Sequence, residues 1–472
     1  MSVAARWWAP RAWLPAGWHD GVLLAVDAQG HWAEVRPGVA EPPPDAQRLA
    51  GPVLPGLVNA HSHAFQRAFA GLAERREQAA DDFWSWRDRM YQVALRITPG
   101  QLRAIATHLY VELLRGGYTQ VCEFHYLQHD EDGSPYGDPL AMSWALADAA
   151  ADAGIGLTML PVLYERAGFA QPALRPDQRR FASTAEGIWA TRQRLAASGR
   201  PLLTAGLALH SLRAAPPEAI GRLRTLAEGF DGPIHIHVAE QTSEVDDCLR
   251  HTGQRPIEWL ARQGLLDARW QLVHATHTTP SEIDAVAAAG AGAVLCPSTE
   301  ANLGDGLADL PGWLASGAPL ALGSDSHVTR AWREELRLLE YGQRLARRQR
   351  NVSAAPEAGQ PATAERLWAR VQAGSGAAAG LGPWGLQAGA RADLLVADLQ
   401  DHALRGIPPT HLLDALVFSS PGRPWRDVMV AGRWVVSAHR HAGAQAVADS
   451  FAEAMSEIWD IRKNVAAPGH AV

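Results

Sequence analysis

The sequence predicts an α/β fold, a (β/α)8 barrel (TIM barrel) with a small β-sandwich domain built from both chain ends. From residue 53 onward, short apolar runs alternate with longer amphipathic runs, the pattern of repeated strand–helix units around a parallel sheet. The two ends carry β-rich segments separated by turns instead. With 472 residues, 47% of them hydrophobic, the chain can bury one large core and a smaller second core.

Eight apolar runs of strand length precede residue 330. They span 53–60, 118–124, 155–163, 202–209, 233–239, 271–275, 293–297 and 320–323. Between them lie helical segments such as 99–115, which Gly116 and Gly117 close, and 280–289, which Gly290 closes. In a barrel of this kind, chemistry takes place on the loops that follow the C-terminal ends of the strands.

The chain ends predict a composite β domain. Residues 20–50 include GVLLAVDAQGHWAEV, and residues 386–440 include GARADLLVADL and DVMVAGRWVV, each with two short strands around a turn. We therefore predict that 1–52 and 381–442 form the two parts of this domain. Residues 53–380 form the barrel, and 443–472 form a C-terminal helix and tail.

Composition and charge limit the classes of molecule that the protein is expected to bind. The formal net charge of −7 argues against a general affinity for nucleic acid. No segment approaches the roughly 20 apolar residues that cross a bilayer, and the N-terminus lacks the pattern of a secretory signal. The three cysteines are odd in number and widely spaced, as in proteins that keep reduced thiols. The sequence thus predicts a cytoplasmic protein that acts on a small molecule, with no nucleic-acid or membrane partner.

Histidines and one aspartate at strand ends predict a metal site. His61 and His63 in PGLVNAHSH follow the first strand, and alternate residues of a strand share a face, so both can hold one ion. Two loop histidines that only form hydrogen bonds are the alternative. Asp325 in ALGSDSH follows the eighth strand and is a further ligand, although Asp at such a junction also caps helices.

The fifth and sixth strands add the groups that handle protons. HIHVAE places His235 and His237 on the same strand face, so either could bind the ion. Glu240 lies three residues beyond His237 and could reach the same water, which favours His237 as the ligand. His274 in QLVHATH ends the sixth strand beside this site, although a packed core histidine is the other interpretation.

Three imidazoles and one carboxylate, with water completing the shell, form a donor set of catalytic zinc. Iron or manganese would also fit, since the order of affinities alone does not select the ion. A cation of this kind lowers the pKa of its bound water from about 16 to about 7. The residues therefore predict hydrolysis at a carbon bonded to nitrogen or to another electronegative group.

These motifs resemble the amidohydrolase superfamily, in particular its mononuclear deaminase branch. PGLVNAHSH, HVAE, the histidine of LVHATH and the late SD carry the resemblance, and GARADLLVADL is similar to the composite sandwich of that superfamily. The predicted barrel contains no lysine, which speaks against the carbamylated bridge of its two-metal hydrolases. The resemblance implies one metal ion for each subunit.

Longer stretches resemble the formimidoylglutamate deiminase family of histidine degradation. They are HSHAFQRAFAGLAER, DDFWSWRDRMY, EFHYLQHDEDGSPY, ALHSLRA, HVAEQTSEV and CPSTEANLGDG. This family converts N-formimidoyl-L-glutamate and water to N-formyl-L-glutamate and ammonia. The resemblance implies a homodimer with zinc held by His61, His63, His237 and Asp325, catalysis by Glu240, His274 and Asp325, and a substrate pocket lined by Gln66, Arg87, Tyr126, His210 and Arg213.

Alternative interpretations remain at this point. A deaminase of the same branch that acts on a purine base or an adenosine derivative would have aromatic packing in place of an arginine clamp, so Arg213 weighs against it. An enzyme that releases formamide from the same substrate belongs to a different two-manganese fold. A non-catalytic barrel scaffold is disfavoured because every ligand is present. Arg87 is alternatively a solvated helix charge, and Gln66 alternatively forms a local hydrogen bond.

Overall fold

The computed structural model describes residues 3–75 and 83–459. In chain order the strands are β1 (Val3–Leu14), β2 (Gly17–Asp27), β3 (Trp32–Arg36), β4 (Gln47–Arg48), β5 (Val53–Leu54), β6 (Leu57–Ser62), β7 (Tyr118–His125), β8 (Gly156–Leu163), β9 (Leu203–Ala205), β10 (Leu207–Leu209), β11 (Ile234–Val238), β12 (Trp270–His274), β13 (Gly292–Leu295), β14 (Leu320–Leu322), β15 (Leu394–Ala397), β16 (Trp425–Val430), β17 (Arg433–Ser437) and β18 (Arg440–His441).

The helices surround the barrel and follow its strands. They are α1 (Phe83–Ala94), α2 (Pro99–Gly116), α3 (Ala141–Ala153), α4 (Ala185–Ala197), α5 (Pro217–Leu226), α6 (Thr242–Thr252), α7 (Pro256–Arg262), α8 (Pro280–Ala288), α9 (Pro297–Leu303), α10 (Leu310–Ser316), α11 (Trp332–Arg347), α12 (Thr363–Ala378), α13 (Leu412–Phe418) and α14 (Ala444–Ile458). Short 3₁₀ turns span Ala64–Ala68, Pro176–Phe181, Pro356–Ala358 and Pro409–His411. Among the described residues, no helix combines the length and apolarity needed to span a bilayer.

Strands β6 to β14 form a closed parallel barrel. The hydrogen-bonded order runs β10–β11–β12–β13–β14–β6–β7–β8–β9, and β10 also pairs with β8, which closes the ring. β9 and β10 together occupy the position of the fourth barrel strand, which is interrupted at Gly206. A Cβ at Gly206 would lie 2.6 Å from Leu160 Cδ2 and 2.8 Å from the Pro233 carbonyl oxygen, so only glycine allows this close approach. The eight-stranded barrel that the sequence predicts is therefore confirmed.

Two of the predicted strands have an end that differs from the observed one by two or more residues. The run 53–60 is divided, because β5 pairs with β1 and β15 in the terminal sheet while β6 enters the barrel. Pro55 and Gly56 separate the two pieces. The run 293–297 ends at Leu295, because Pro297 occupies the first turn of α9, where its missing N–H leaves no helical bond unmade.

The two chain ends meet in one sheet beside the barrel. Its order is β18–β17–β16–β15–β5–β1–β2–β3, with β4 paired to β1. The antiparallel pairing of β5 with β15 joins the N-terminal and C-terminal pieces. A second core lies on this sheet and includes Trp7, Leu24, Trp32, Leu394 and Met429. The β domain from both termini is thus confirmed, β1 is an additional strand, and the predicted domain boundaries stay a prediction.

A buried arginine holds together the segments that form one wall of the barrel mouth. The Arg180 guanidinium donates to the carbonyls of His129 at 2.8 Å, Ala94 at 2.6 Å and Ile97 at 3.0 Å, and to the Tyr136 hydroxyl at 2.9 Å. Its side chain is fully buried, and that burial lowers the pKa of Arg180. One side chain thereby ties the end of α1 to the 3₁₀ turn at 176–181.

We expect Arg180→Met to lower the free energy of unfolding by about 3 kcal/mol or more, since several buried acceptors lose their donor at once. Urea unfolding followed by circular dichroism measures this change. Arg350→Met removes an exposed guanidinium and is the control, with an expected change within about 0.5 kcal/mol. Equal stability of the two variants would show that Arg180 does not hold this wall.

Candidate active site

Four side chains from three separate parts of the barrel converge at the C-terminal ends of the strands. His61 Nε2 lies 3.1 Å from His63 Nε2 and 3.0 Å from His237 Nε2, and Asp325 Oδ1 lies 3.4 Å from both His61 and His63 Nε2. Tetrahedral ligands about 2.0–2.1 Å from one ion are spaced about 3.3 Å apart. The four observed spacings are close to this value. His61, His63 and Asp325 form one compact group of possible metal ligands, and His237 adjoins that group through His61. These residue types and spacings therefore fit a metal ion at this position.

The ligand nitrogens are oriented by hydrogen bonds behind them. His63 Nδ1 donates to the Phe124 carbonyl at 2.9 Å, so its Nε2 presents a lone pair to the cluster. The Asp325 amide donates to the His61 carbonyl at 3.0 Å, which attaches the loop after β14 to β6. Asp325 has a φ of +45°, a strained conformation that concentrates at functional sites. The backbone and these hydrogen bonds therefore hold the side chains close together.

Burial keeps the histidine ligands neutral. It lowers the pKa of His61 to about 3 and also lowers the pKa of His63 and of His237. Burial by itself would raise the pKa of Asp325, but the neighbouring His61 and His63 lower it below its usual range. Neutral imidazoles and an ionised carboxylate are the states in which these side chains bind a metal.

Zinc affinity should therefore change little with mild acidification. Three ordinary imidazoles with a pKa of about 6.5 would together lose about 1,000-fold in affinity between pH 7.5 and pH 5.5. For this site we expect a loss below about 10-fold, because His61 and His237 have strongly lowered pKa values and stay neutral at pH 5.5, so that only His63 contributes a loss. Competition with a fluorescent chelator at both pH values measures the change. A loss near 1,000-fold would mean that the ligands titrate as exposed histidines do.

Glu240 and His274 lie against the cluster. His274 Nε2 is 3.6 Å from Glu240 Oε1 and 3.8 Å from Asp325 Oδ2, and its Nδ1 is 3.6 Å from Glu300 Oε1. Burial raises the pKa of Glu240, opposed in part by His274 and Arg213. Burial would lower the pKa of His274, but Glu240, Cys296 and Glu300 together more than offset this effect and raise it. The pair can thus supply protons and hydrogen bonds beside the ion.

A charged arginine lies next to this pair. Arg213 Nη2 is 3.8 Å from Glu240 Oε2. Burial would lower the pKa of Arg213, but Glu244 and Glu240 raise it above its usual value. The Arg166 guanidinium donates to the carbonyls of Arg213 at 2.9 Å and Leu212 at 2.7 Å, which holds the loop that carries Arg213. The cation is fixed by its neighbours and is available to an anionic ligand.

The other predicted pocket residues differ in where they lie relative to the cleft. Gln66 Nε2 donates to the Tyr126 hydroxyl at 3.4 Å, and the rings of Tyr126 and His210 lie 5.6 Å apart, so these three line the same cleft beside the metal ligands. Arg87 belongs to α1, but its side chain lies outside the described residues. His235 is directed away from the cluster, because its Nε2 donates to the Ala378 carbonyl at 2.8 Å.

Sequence reasoning missed two residues that line the cleft, Tyr91 and Tyr164, and several residues next to it. Glu300 and Glu244 belong to the stretches CPSTEANLGDG and HVAEQTSEV, but neither was assigned a role. Tyr164 directly follows β8, so the rule that functional side chains follow strand ends could have found it. Tyr91 and Gln178 lie on helical segments outside the barrel strands, and no spacing rule connects them to the site.

A closed parallel barrel whose strand ends carry a His-x-His pair, a third histidine and a late aspartate defines a metal-dependent hydrolase. The model of the amidohydrolase family matches residues 53–435, and the chain belongs to this family. Formimidoylglutamate deiminase from Pseudomonas aeruginosa is 48% identical over 457 residues, which cover 96% of this chain and 99% of that protein. The resemblance to formimidoylglutamate deiminases is thereby confirmed.

Two further similar proteins have lower sequence identity to this chain. The crystal structure of an amidohydrolase from Brucella melitensis superposes with a TM-score of 0.90 at 41% identity, covering 96% of this chain and all of that one. A 5-methylthioadenosine/S-adenosylhomocysteine deaminase from Natronomonas pharaonis is 29% identical over 388 residues, 81% of each chain. The similarity to the formimidoylglutamate deiminase is thus much higher than that to this nucleoside deaminase.

Proposed function

We propose that the protein is a zinc-dependent deiminase that converts N-formimidoyl-L-glutamate and water to N-formyl-L-glutamate and ammonia in histidine degradation. The observation that carries this proposal is the placement of Arg213 beside the group of His61, His63, His237 and Asp325. A hydrolytic metal site and a carboxylate-binding cation then share one cleft. The 48% identity to a formimidoylglutamate deiminase supports the same substrate.

His61, His63, His237 and Asp325 would hold the zinc ion. When bound, zinc lowers the pKa of water so that hydroxide is available near neutral pH. Asp325 would accept the proton of the attacking water as the water oxygen bonds to the formimidoyl carbon. His274 donates a hydrogen bond to the developing oxyanion.

Glu240 then gives a proton to the terminal nitrogen of the protonated formimidoyl group. As the C–N bond breaks and ammonia leaves, the hydroxyl on the same carbon becomes the formyl carbonyl and returns its proton to Glu240, and Asp325 releases to solvent the proton that it took from the water. The raised pKa of Glu240 suits this role as an acid. Arg213 pairs with a substrate carboxylate through two parallel N–H groups, assisted by Gln66, Tyr126 and His210. Arg87 is proposed for the same pocket from the resemblance alone. The remaining product is N-formyl-L-glutamate.

The test is ammonia release by the purified, metal-analysed protein from three compounds offered in parallel. They are N-formimidoyl-L-glutamate, guanine and 5-methylthioadenosine. Release from the first alone supports the proposal. Release from a purine alone would replace it with the second candidate, a purine or nucleoside deaminase, which the aromatic rings of Trp86, Tyr126 and Phe181 in the cleft favour. Formamide in place of ammonia would also contradict the deiminase assignment.

We further propose a cytoplasmic homodimer. The three cysteines are buried free thiols, as in proteins of reducing compartments. Leu338, Tyr341 and Leu345 lie exposed along one face of α11, with Leu345 81% exposed, which suits a surface covered by a second copy. Sedimentation velocity measures the mass, and a monomer at micromolar concentration would contradict the dimer.

A further inference from the structure

Two tyrosines in the wall of the cleft share one buried amide. Gln178 is 1% exposed, and its Nε2 donates to the Tyr164 hydroxyl at 2.9 Å and to the Tyr91 hydroxyl at 3.4 Å. Its Oε1 accepts the backbone N–H of Arg175 at 3.0 Å. Because a backbone N–H can only donate, this bond fixes which end of the amide faces the two phenols.

The Gln178 amide therefore determines the direction in which each tyrosine hydroxyl can donate a hydrogen bond. Each phenol oxygen accepts a hydrogen from Gln178, so its own O–H hydrogen is directed away from Gln178. Both tyrosines line the same cleft as Arg213 and the metal ligands. Hydroxyl groups that act as donors are suited to an anionic oxygen and unsuited to a cation.

Arg213 needs such help to hold an anion. Glu240 is 3.8 Å from its guanidinium, and Glu244 is a second buried carboxylate that interacts with it. These neighbouring carboxylates offset part of the positive charge that Arg213 presents to a ligand carboxylate. Neutral hydroxyl donors add hydrogen bonds to that carboxylate without a further charge to desolvate.

The phenols lie apart from the reacting end of the cleft. The Tyr164 ring is 4.5 Å from the His210 ring and 6.5 Å from the Tyr126 ring, and those two rings lie 5.0 Å from His237 and 5.1 Å from His63. One layer of side chains therefore lies between Tyr164 and the metal ligands. In N-formimidoyl-L-glutamate, the side-chain carboxylate is the one that is farther from the reacting carbon.

We propose that Tyr91 and Tyr164, oriented by Gln178, donate hydrogen bonds to the side-chain carboxylate of the substrate and thereby select a dicarboxylate. This inference rests on the proposed function for the identity of the ligand. Tyr91 and Tyr164 contact the ligand, while Gln178 is a positioning residue that acts through them. The sequence motifs assigned no role to any of these three residues.

Calorimetry with the zinc-loaded protein tests the proposal without turnover. The probes are N-formyl-L-glutamate and N-formyl-L-glutamine, which has an amide in place of the side-chain carboxylate. We expect Tyr164→Phe and Tyr91→Phe each to weaken binding of N-formyl-L-glutamate by about 10-fold, since hydrogen bonds to charged groups are worth about 1.5–3 kcal/mol. Binding of N-formyl-L-glutamine should change by less than 3-fold. Tyr341→Phe, an exposed tyrosine of α11, is the matched control.

Gln178→Glu tests the positioning role. A carboxylate at this position accepts the phenol hydrogens, so both hydroxyls turn toward it and away from the ligand. We expect weaker binding of N-formyl-L-glutamate, and we expect most of that effect to vanish in the Tyr91→Phe/Tyr164→Phe background. An equal effect in both backgrounds would refute the positioning role. Zinc content and thermal midpoint verify that each variant is folded.

The outcomes separate this inference from the proposed function. If the protein binds N-formyl-L-glutamate through the tyrosines but releases no ammonia from N-formimidoyl-L-glutamate, the function fails and the inference stands. If ammonia is released while the Tyr→Phe variants keep full affinity, or lose affinity equally for both probes, the inference fails alone. Absence of binding of N-formyl-L-glutamate by the unaltered protein overturns the inference directly.

Discussion

Removal of the metal is expected to abolish ammonia release, with a loss of at least about 10⁴-fold. Without a bound cation the pKa of water returns to about 16, so hydroxide is scarce at neutral pH. Neither Glu240 nor His274 is a strong enough base to replace this effect. The measurement is the rate after dialysis against a chelator, with metal content determined on the same sample.

Restoration and a ligand variant complete this test. One equivalent of zinc should restore the rate of the unaltered protein, whereas His61→Ala should bind substoichiometric zinc and stay inactive. His251→Ala removes an exposed histidine of α6 outside the cleft and is the matched control, which should keep its zinc and its rate. A fully active sample with less than about one-tenth of an equivalent of metal would end the metal-centred mechanism.

Glu240→Gln is expected to keep the metal and lose about 10³-fold or more in kcat. The amide preserves the size of the side chain but cannot pass a proton to the leaving nitrogen, and acid–base groups typically contribute 10²–10⁴-fold. Glu240 Oε1 is 3.6 Å from His274 Nε2, and Arg213 is 3.8 Å from the other oxygen, so two cationic neighbours lose their counter-charge as well. KM for the substrate should change much less than kcat.

The readouts for this variant are kcat, KM and zinc content. Glu453→Gln on the exposed surface of α14 is the control for a lost carboxylate and should match the unaltered protein. A near-normal kcat in Glu240→Gln would exclude Glu240 as the proton donor. A variant that has lost its zinc would instead place Glu240 among the groups that hold the ion.

The local pattern of the sequence predicted the barrel well, because strand and helix periods are local properties. Where the prediction erred, long-range pairing decided the outcome. Residues 53–60 read as one continuous apolar run, yet β5 pairs with β15 from the far end of the chain and leaves the barrel to β6. β1 was missed for the same reason, since its pairing partner β2 and the apolar core beneath it define it as a strand.

The strand period alone could not decide which histidine of the fifth barrel strand is the metal ligand. His235 and His237 share a face of β11, so a period of two cannot distinguish them. Their depth in the barrel distinguishes them. His235 donates a hydrogen bond to the Ala378 carbonyl at the end of α12, whereas the Nε2 atom of His237 lies next to that of His61. The sequence favoured His237 only through the position of Glu240.

By itself, the sequence determined the types of chemical group and their attachment to strand ends: the His-x-His pair, the acid three residues after His237 and the late aspartate. Alternation along strands is a local rule, so these features can be read without a structure. Only the tertiary structure decided which groups meet, including the Gln178 amide that joins Tyr91 to Tyr164. Tyr91 is 87 residues from Gln178 along the chain, so its contact with this amide depends on the packing of the whole barrel mouth.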